Sequence, residues 1–376
     1  MTALSIWFWQ RMVTPHMAFL AAALAERGHR VTYVAEEPLD EQRAALGWQA
    51  PDIPDVSLRF ATTAIEAREL VAAAEAGTIH LTQGFRSNGT VAFAQKAIQA
   101  RGQRHFVIME TVDQRGATGI FKPALYAWHL HNWRRGLNGV MAIGADTPDW
   151  LRRLAPAKLR TFPFAYFLKE PAPPSYTPTG TPFRFLFVGA LVPGKRVDLL
   201  LQCLGDLPEK TFDFEVVGDG PRREHLENLA ERVLPGRVNF HGVVPISEVS
   251  DHMAAADCLV LPSDHDGWGA VVSEALMTGT PVICSTACGS REVVLASGSG
   301  GVFSTFDTAA LRQLLAATLA QGKIKCEGRK ALRSWARCLG AAAGAAYLEA
   351  LLIAELTGAS RFPPPPWQQQ HASDVR

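Results

Sequence analysis

The sequence lacks any run of 18 uncharged apolar residues, so it offers no candidate for a membrane-spanning helix. The richest apolar stretch, Gly340 to Leu356, contains Glu349 and Glu355 and reads as an amphipathic helix. Neither charge is in excess. Lys and Arg number 37 against 36 Asp and Glu, a net charge of +1, which disfavours bulk binding to nucleic acid. The local pairs Arg134-Arg135 and Arg152-Arg153 read first as solvated helix faces, with a local basic face as the alternative. Cysteine is scarce, six in all, and every one lies after residue 200. Cys203, Cys258 and Cys338 sit in apolar segments and read as buried free thiols. Cys284 and Cys288 have no second Cys/His pair of matching spacing, which argues against zinc. This usage fits a reducing compartment, hence a cytoplasmic protein. The N-terminus has no basic segment ahead of its apolar residues and does not read as a signal peptide. No Gly-x-Gly-x-x-Gly follows the first strand, and no P-loop or Ser/His/Asp nucleophile pattern is visible.

What is present is a large apolar content, 48% of 376 residues, with 19% charged. That suits two ordinary cores. Strand and helix patterns alternate. Leu4 to Trp9, His29 to Val34, Thr78–Leu81, His105–Met109 and Gly139–Ile143 read as strands. Helices are expected over His16 to Arg27, Ala64–Ala76 and Val91–Ala100. After a Pro-rich stretch the rhythm restarts, with strands at Phe183–Val188, Phe212–Val217, Val238–Phe240 and Cys258–Leu261. Alternation of this kind implies parallel, doubly wound α/β sheets. The expected division is an N-terminal Rossmann-like domain over 1–168, a Pro-rich linker over 169–182 and a second Rossmann-like domain over 183–325. C-terminal helices over 326–360 would pack back on the first domain, and a disordered Pro-rich tail would cover 361–376.

The most informative segment is Asp266-Gly-Trp-Gly-Ala-Val-Val-Ser-Glu274. It follows the apolar strand Cys258–Leu261 and opens a helix. A strand, a Gly-rich turn and a helix N-terminus form an anion site in open α/β sheets. Two carboxylates eight positions apart can hold hydroxyls. A metal-binding role for Asp264-His265-Asp266 is the weaker alternative, and first-turn stabilisation of its helix is the bland account of Glu274.

Other turns fall at strand ends. Gly189-Ala-Leu-Val-Pro-Gly-Lys195-Arg196 follows the first strand of the second half and supplies two cations that can neutralise a leaving diphosphate. Gly218-Asp-Gly-Pro221 and His241-Gly-Val243 close the next two strands. In the first half, His16 starts a helix, and Glu110 and Asp113 follow a strand. Each reads equally well as a ligand contact or as an ordinary surface residue. Trp128, Trp133 and Trp150, near the basic pairs, read either as core packing or as peripheral contact with anionic lipid.

Residues Phe183 to Val294 resemble the retaining glycosyltransferases of family four, which have the two-domain GT-B fold. The likeness rests on Phe187-Val-Gly189, Lys195, Val217-Gly-Asp-Gly-Pro221, Phe240-His-Gly242, the acidic pair Asp266 and Glu274, and Glu274-Ala-x-x-x-Gly-Thr-Pro-Val282. The first half matches in layout alone. The resemblance implies two Rossmann-like domains facing across a cleft. It implies that Glu274 binds ribose hydroxyls and Asp266 binds hydroxyls of the transferred sugar. Gly267, Trp268, Gly269 and Ala270 would offer backbone N–H groups, and the backbone of Val243 would meet the base. Gly189 and Gly218 would line the donor site, and Lys195 would stabilise the departing diphosphate.

Three departures stand out. The first acidic residue is Asp266 where relatives have Glu, Ala190 stands where many have Arg, and Met109-Glu110 stands where many have His. Arg196, where Gly is usual, is then the second cation, and Glu110, with His16 next, is the acceptor-side candidate. The implied activity is metal-independent transfer of a sugar, with retention, from a nucleotide-diphosphate sugar to a glycan or lipid-linked hydroxyl. The setting would be surface polysaccharide or glycolipid assembly, with no cofactor beyond the donor co-substrate. The alternatives are a transferase of different stereochemistry on the same fold, and a catalytically inactive nucleotide-sugar-binding or scaffolding partner of such a pathway.

Overall fold

The computed structural model describes residues 3–40, 49–85, 88–116, 119–133, 136–154, 159–172, 182–209 and 211–369. They form two units. One takes the N-terminal residues up to 40, Gln49–Lys169 and Gly340–Gln369, and the other takes Glu170–Leu339.

The first unit is a parallel sheet of seven strands: β1 (Ser5–Met12), β2 (Arg30–Glu37), β3 (Ser57–Phe60), β4 (Ile79–Gln83), β5 (Arg104–Glu110), β6 (Gly139–Ile143) and β7 (Thr161–Phe164). Their order is β3-β2-β1-β4-β5-β6-β7. The inner strand β6 is apolar along its length, as expected of a strand covered on both faces. All five residues of β6 are buried. The edge strand β3 is exposed at all four positions, and with no buried face it leaves no periodic signal in the sequence. The helix Ala64–Ala73 starts with a reciprocal capping box between Thr63 and Glu66.

The second unit is a parallel sheet of six strands: β8 (Phe183–Val188), β9 (Phe212–Val217), β10 (Val238–Gly242), β11 (Cys258–Leu261), β12 (Val282–Ser285) and β13 (Gly300–Phe303). Their order is β10-β9-β8-β11-β12-β13. Phe185, Phe187, Phe212 and Phe214 are fully buried, each worth roughly 1.5–3 kcal/mol of hydrophobic stabilisation. Burial pushes the Cys258 thiol up to about 12. All six cysteines are free, and all but Cys326 are buried.

Three expectations need correction. The helix Cys326–Ala336 stays with the second unit, and the chain crosses to the first at Gly340. The reason is Arg329, which is 3% exposed. Its guanidinium donates to the Ala254 and Ala256 carbonyls and to Asp257. Next, the helix Ala341–Leu356 does not keep its acids on a solvated face. Glu349 is buried and takes hydrogen bonds from Arg27 Nε, at 2.7 Å, and from Arg27 NH2. The Leu4 amide donates to His29 Nδ1, so the ring proton rides on Nε2, 3.2 Å from Glu349 Oε1. Finally, residues 361–369 of the expected disordered tail are ordered. Pro366–Gln369 is a helical turn, and Trp367 is 2% exposed. Residues 370–376, and most of the expected linker, lie outside the described residues.

Candidate functional site

In the second unit the direction of winding reverses between β8 and β11. Loops leaving these neighbouring strands at their carboxyl ends diverge and open a crevice, the usual ligand position in a doubly wound sheet. The loop after β8 carries Lys195, and the loop after β11 carries Asp266. The two side chains meet there, with Lys195 Nζ 2.5 Å from Asp266 Oδ2. Both are largely enclosed, at 25% and 15% exposed. The Asp264 amide also donates to the Gly194 carbonyl at 2.9 Å, tying one loop to the other.

Asp266 is held from behind. Its amide donates to the Ala287 carbonyl and its carbonyl accepts from the Gly289 amide, at 3.1 and 2.9 Å. The Ser290 amide donates to the Trp268 carbonyl at 2.9 Å. The brace therefore comes from the loop after β12, which no local sequence pattern announces. Only the pairing of β11 with β12 brings it there.

The Trp268 indole is buried and donates to Ser273 Oγ at 3.1 Å. That side chain anchors the turn, so only its main chain is left to offer to a ligand. Gly269 has φ +82 and immediately precedes the helix Ala270–Thr278. A Cβ there would be left-handed and 3.0 Å from the Leu261 side chain.

Glu274 lies in the second turn of that helix, whose first turn holds no acid. Stabilisation by the helix N-terminus, which decays within a turn, does not account for it. The residue as a whole is half-buried, and the protein packed around its carboxyl pushes the pKa up to about 7, with burial the sole cause. No cation offsets that cost among the described residues. A desolvated carboxyl left unpaired at a sheet's carboxyl edge is characteristic of a functional position.

The neighbouring turns fit backbone to backbone. A Cβ on Gly218 would fall 2.0 Å from the Gly189 carbonyl oxygen, so no larger residue fits between the loops after β8 and β9. The Gly218 amide donates to the Gly242 carbonyl at 2.7 Å, which draws in the loop bearing Val243, 44% exposed. Arg196 is left-handed, with φ +53, and its Nε lies 3.5 Å from Asp198 Oδ1. An αL residue with a Cβ is strained by roughly 1 kcal/mol.

In the first unit, His16 opens the helix Pro15–Glu26 after β1, at that sheet's own reversal between β1 and β4. Its ring stacks on Tyr166 at 4.6 Å. Glu110 is the last residue of β5 and is half-buried. Asp113 is engaged by Arg115, whose Nε and NH2 each lie 2.9 Å from a carboxylate oxygen. Trp133 and Trp150 pack in the core, Trp133 against Phe85 and Trp150 against Tyr126. Trp128 alone of the three is largely exposed, at 60%.

Comparison with known proteins agrees with this geometry. Residues 169–337 match the family "Glycosyl transferases group 1". The chain is 33% identical over 156 residues to the lipopolysaccharide glucosyltransferase WaaG of Escherichia coli K12, covering 40% of this chain and 41% of that one. The first curated relatives are matched over only 26% to 41% of their length. Among solved structures, the chain is similar to the lipopolysaccharide outer core galactosyltransferase WaaB, with TM-score 0.69 and 13% identity over 94% of this chain and 99% of that one. It is also similar to Anabaena Alr3699/HepE in complex with UDP and glucose, with TM-score 0.67 and 15% identity over 95% of this chain and 100% of that one. The chain thus carries a glycosyl transferases group 1 domain over residues 169–337, and its two parallel α/β units are those of the GT-B fold.

Proposed function

We propose that this protein is a retaining glycosyltransferase that moves a sugar from a nucleotide-diphosphate sugar to a hydroxyl of a glycan or lipid-linked acceptor, in glycolipid or surface polysaccharide assembly at the inner membrane face. The observation that carries this reading is Glu274, an uncompensated carboxyl in the unit that also holds the Lys195–Asp266 pair. Vicinal ribose hydroxyls are the partners it lacks, since they would donate to the ionised carboxylate and repay its desolvation.

Each residue then has a task. Glu274 receives the ribose, and Asp266 receives hydroxyls of the sugar being moved. Backbone N–H groups of Gly267–Ala270 and the Lys195 ammonium face the diphosphate, with Arg196 as second cation. Lys195 exchanges Asp266 for phosphate oxygen as the donor enters. The bond from the anomeric carbon to the diphosphate oxygen breaks, and the bond to the acceptor oxygen forms on the same face. The acceptor proton leaves on the diphosphate. Preorganised cations and amides stabilise the developing negative charge, so the reaction needs no divalent ion. Glu110 and His16 serve the acceptor side. The names of the two lipopolysaccharide enzymes support a lipid-linked acceptor, and the UDP complex supports a nucleotide donor.

The test is a thermal-shift panel of UDP-, GDP- and ADP-sugars. It is followed by turnover with the stabilising donor in EDTA and anomer analysis of the product. Stabilisation by one donor with metal-free, retained product is expected. An inverted product or a strict metal requirement overturns the mechanism, and binding without turnover to any glycan or lipid-linked acceptor would make the chain a binding partner instead.

A further inference from the structure

The helix Cys326–Ala336 closes the second unit and is fixed from one side by Arg329. The face beside that anchor carries Lys330, Arg333 and Arg337, at i, i+3 and i+7, with Ser334 among them. Arg337 is the C-cap and keeps helical φ and ψ. Side chains three and four apart on a helix are neighbours, and like charges at that spacing repel. The protein does little to answer them. Arg337 Nε is 3.9 Å from Glu170 Oε2, with the two side chains 74% and 50% exposed. Arg333 NH1 donates to the Thr278 carbonyl at 3.4 Å, a contact that leaves its charge without a carboxylate. Among the described residues no ion pair ties Lys330 to Glu327, one turn earlier, or to any other acid.

These side chains border a cavity of about 290 Å³, at the small end of ligand pockets, which run from roughly 300 to 1,000 Å³. Met277, in the last turn of the helix Ala270–Thr278, forms its apolar wall with Pro171 and Ala172. All of them belong to the second unit. The stem of Arg333 is packed against main chain: a Cβ on Gly279, which has φ +83, would come 3.1 Å from both its Cγ and its NH1. An anchored helix therefore presents three cations against the one carboxylate of Glu170.

Charge and size select the ligand. Two guanidinium forks and an ammonium beside a hydroxyl suit a phosphate dianion. Residues 173–181, which continue from Ala172, contain no Asp or Glu, so the adjoining chain supplies no counter-ion. A bare phosphate would leave the wall of Met277, Pro171 and Ala172 untouched, whereas the carbon body of a monoester rests on it.

We propose that this cleft binds a small soluble phosphate monoester, with Lys330, Arg333 and Arg337 on the phosphate and Met277, Pro171 and Ala172 against its carbon body. None of these residues is a candidate donor contact, and the site does not depend on the transferase reading.

The test is calorimetric titration of the full chain at low salt with glucose 6-phosphate, inorganic phosphate and sulfate. Glucose 6-phosphate should bind at least about threefold tighter than the two inorganic anions, weaken with salt, and bind Lys195→Ala as well as wild type. The double variant Lys330→Gln/Arg337→Gln should lose at least about tenfold in affinity, and Lys330→Gln alone about threefold. Both side chains are exposed, so the melting curve and nucleotide-sugar binding should match wild type. The proposal is overturned if wild type ignores glucose 6-phosphate at low salt, if the double variant binds it equally, or if sulfate or inorganic phosphate binds as tightly. Binding lost in Lys195→Ala would place the monoester at the donor site and overturn it too. Failure of the wild type to bind any nucleotide-sugar would strike the transferase reading and leave this one standing.

Discussion

Burial perturbs titratable groups in both units, and what separates them is whether a neighbour satisfies the group. In the first unit burial lowers His80 to about 4 and His105 to about 3, and each has a neighbour: Trp9 Nε1 donates to His80 Nδ1 at 3.0 Å, and His105 Nε2 is 2.8 Å from Thr82 Oγ1. These imidazoles are neutral parts of the packing at physiological pH. In the second unit the perturbed carboxyl, Glu274, lies in the helix that opens from the β11 loop and has no such partner. A shifted pKa therefore marks a site only when it stands where the sheet opens and when no neighbour satisfies it.

The sharpest test removes one group from the second unit and two from the first. Lys195→Ala should cut transfer by about a thousandfold, as expected for a lost electrostatic contact in the transition state, and should cut acceptor-free donor hydrolysis equally. His16→Ala and Glu110→Gln should lower transfer while leaving donor binding and hydrolysis near wild type. Equal losses of hydrolysis in all three variants would erase the division of labour.

Stability offers a second test. Burial pushes the Glu274 carboxyl up to about 7, above the ordinary value of 4.5. Between those values the native state binds more protons than the unfolded chain, so this residue makes stability fall as pH rises through that window. Glu274→Gln should therefore raise the stability of the second unit at pH 8, by about 2 to 3 kcal/mol at most, and change it little near pH 4, while transfer is lost. Calorimetry of both proteins at the two pH values checks this, and a destabilised variant at pH 8 would contradict the uncompensated carboxyl.

Donor binding should carry the same signature. If ribose binds the ionised form, affinity for a nucleotide-sugar rises about tenfold from pH 6 to pH 8. The donor's own diphosphate does not titrate there, and titration calorimetry of Glu274→Gln should give a flat profile. The smallest effect is at Arg196. Arg196→Gly removes a strained left-handed residue and should stabilise the second unit by about 1 kcal/mol. Turnover should fall several-fold through loss of the second cation. Unchanged turnover would leave Lys195 as the sole side-chain cation on the diphosphate.

The proposed donor half was legible in the sequence because its residues are contiguous. Asp266, the Gly-Trp-Gly turn and Glu274 occupy nine consecutive residues, and Lys195 falls in the loop after a strand that its apolar run locates. What stayed hidden depends on distant partners. The brace of Ala287, Gly289 and Ser290 on Asp266 follows from strand order. The burial of Glu349 needs Arg27 and His29, more than 300 residues away. Trp128, Trp133 and Trp150 look alike in sequence, and only the packing separates the exposed one from the two in the core. The left-handed Arg196 carries no compositional signal, since its residue type argues against that conformation.

The exchange of Gly340–Gln369 into the first unit also orders events on the ribosome. The half of the molecule that is synthesised first cannot be completed until residues 340–369 have emerged, whereas the second unit's described residues are all made once Leu339 is out. Until then Arg27 and His29 wait for Glu349, and the apolar surface destined for the C-terminal helix is open to chaperones. A stop codon or protease cut just after Leu339 would thus spare the group 1 domain and orphan the opposite, N-terminal end of the chain.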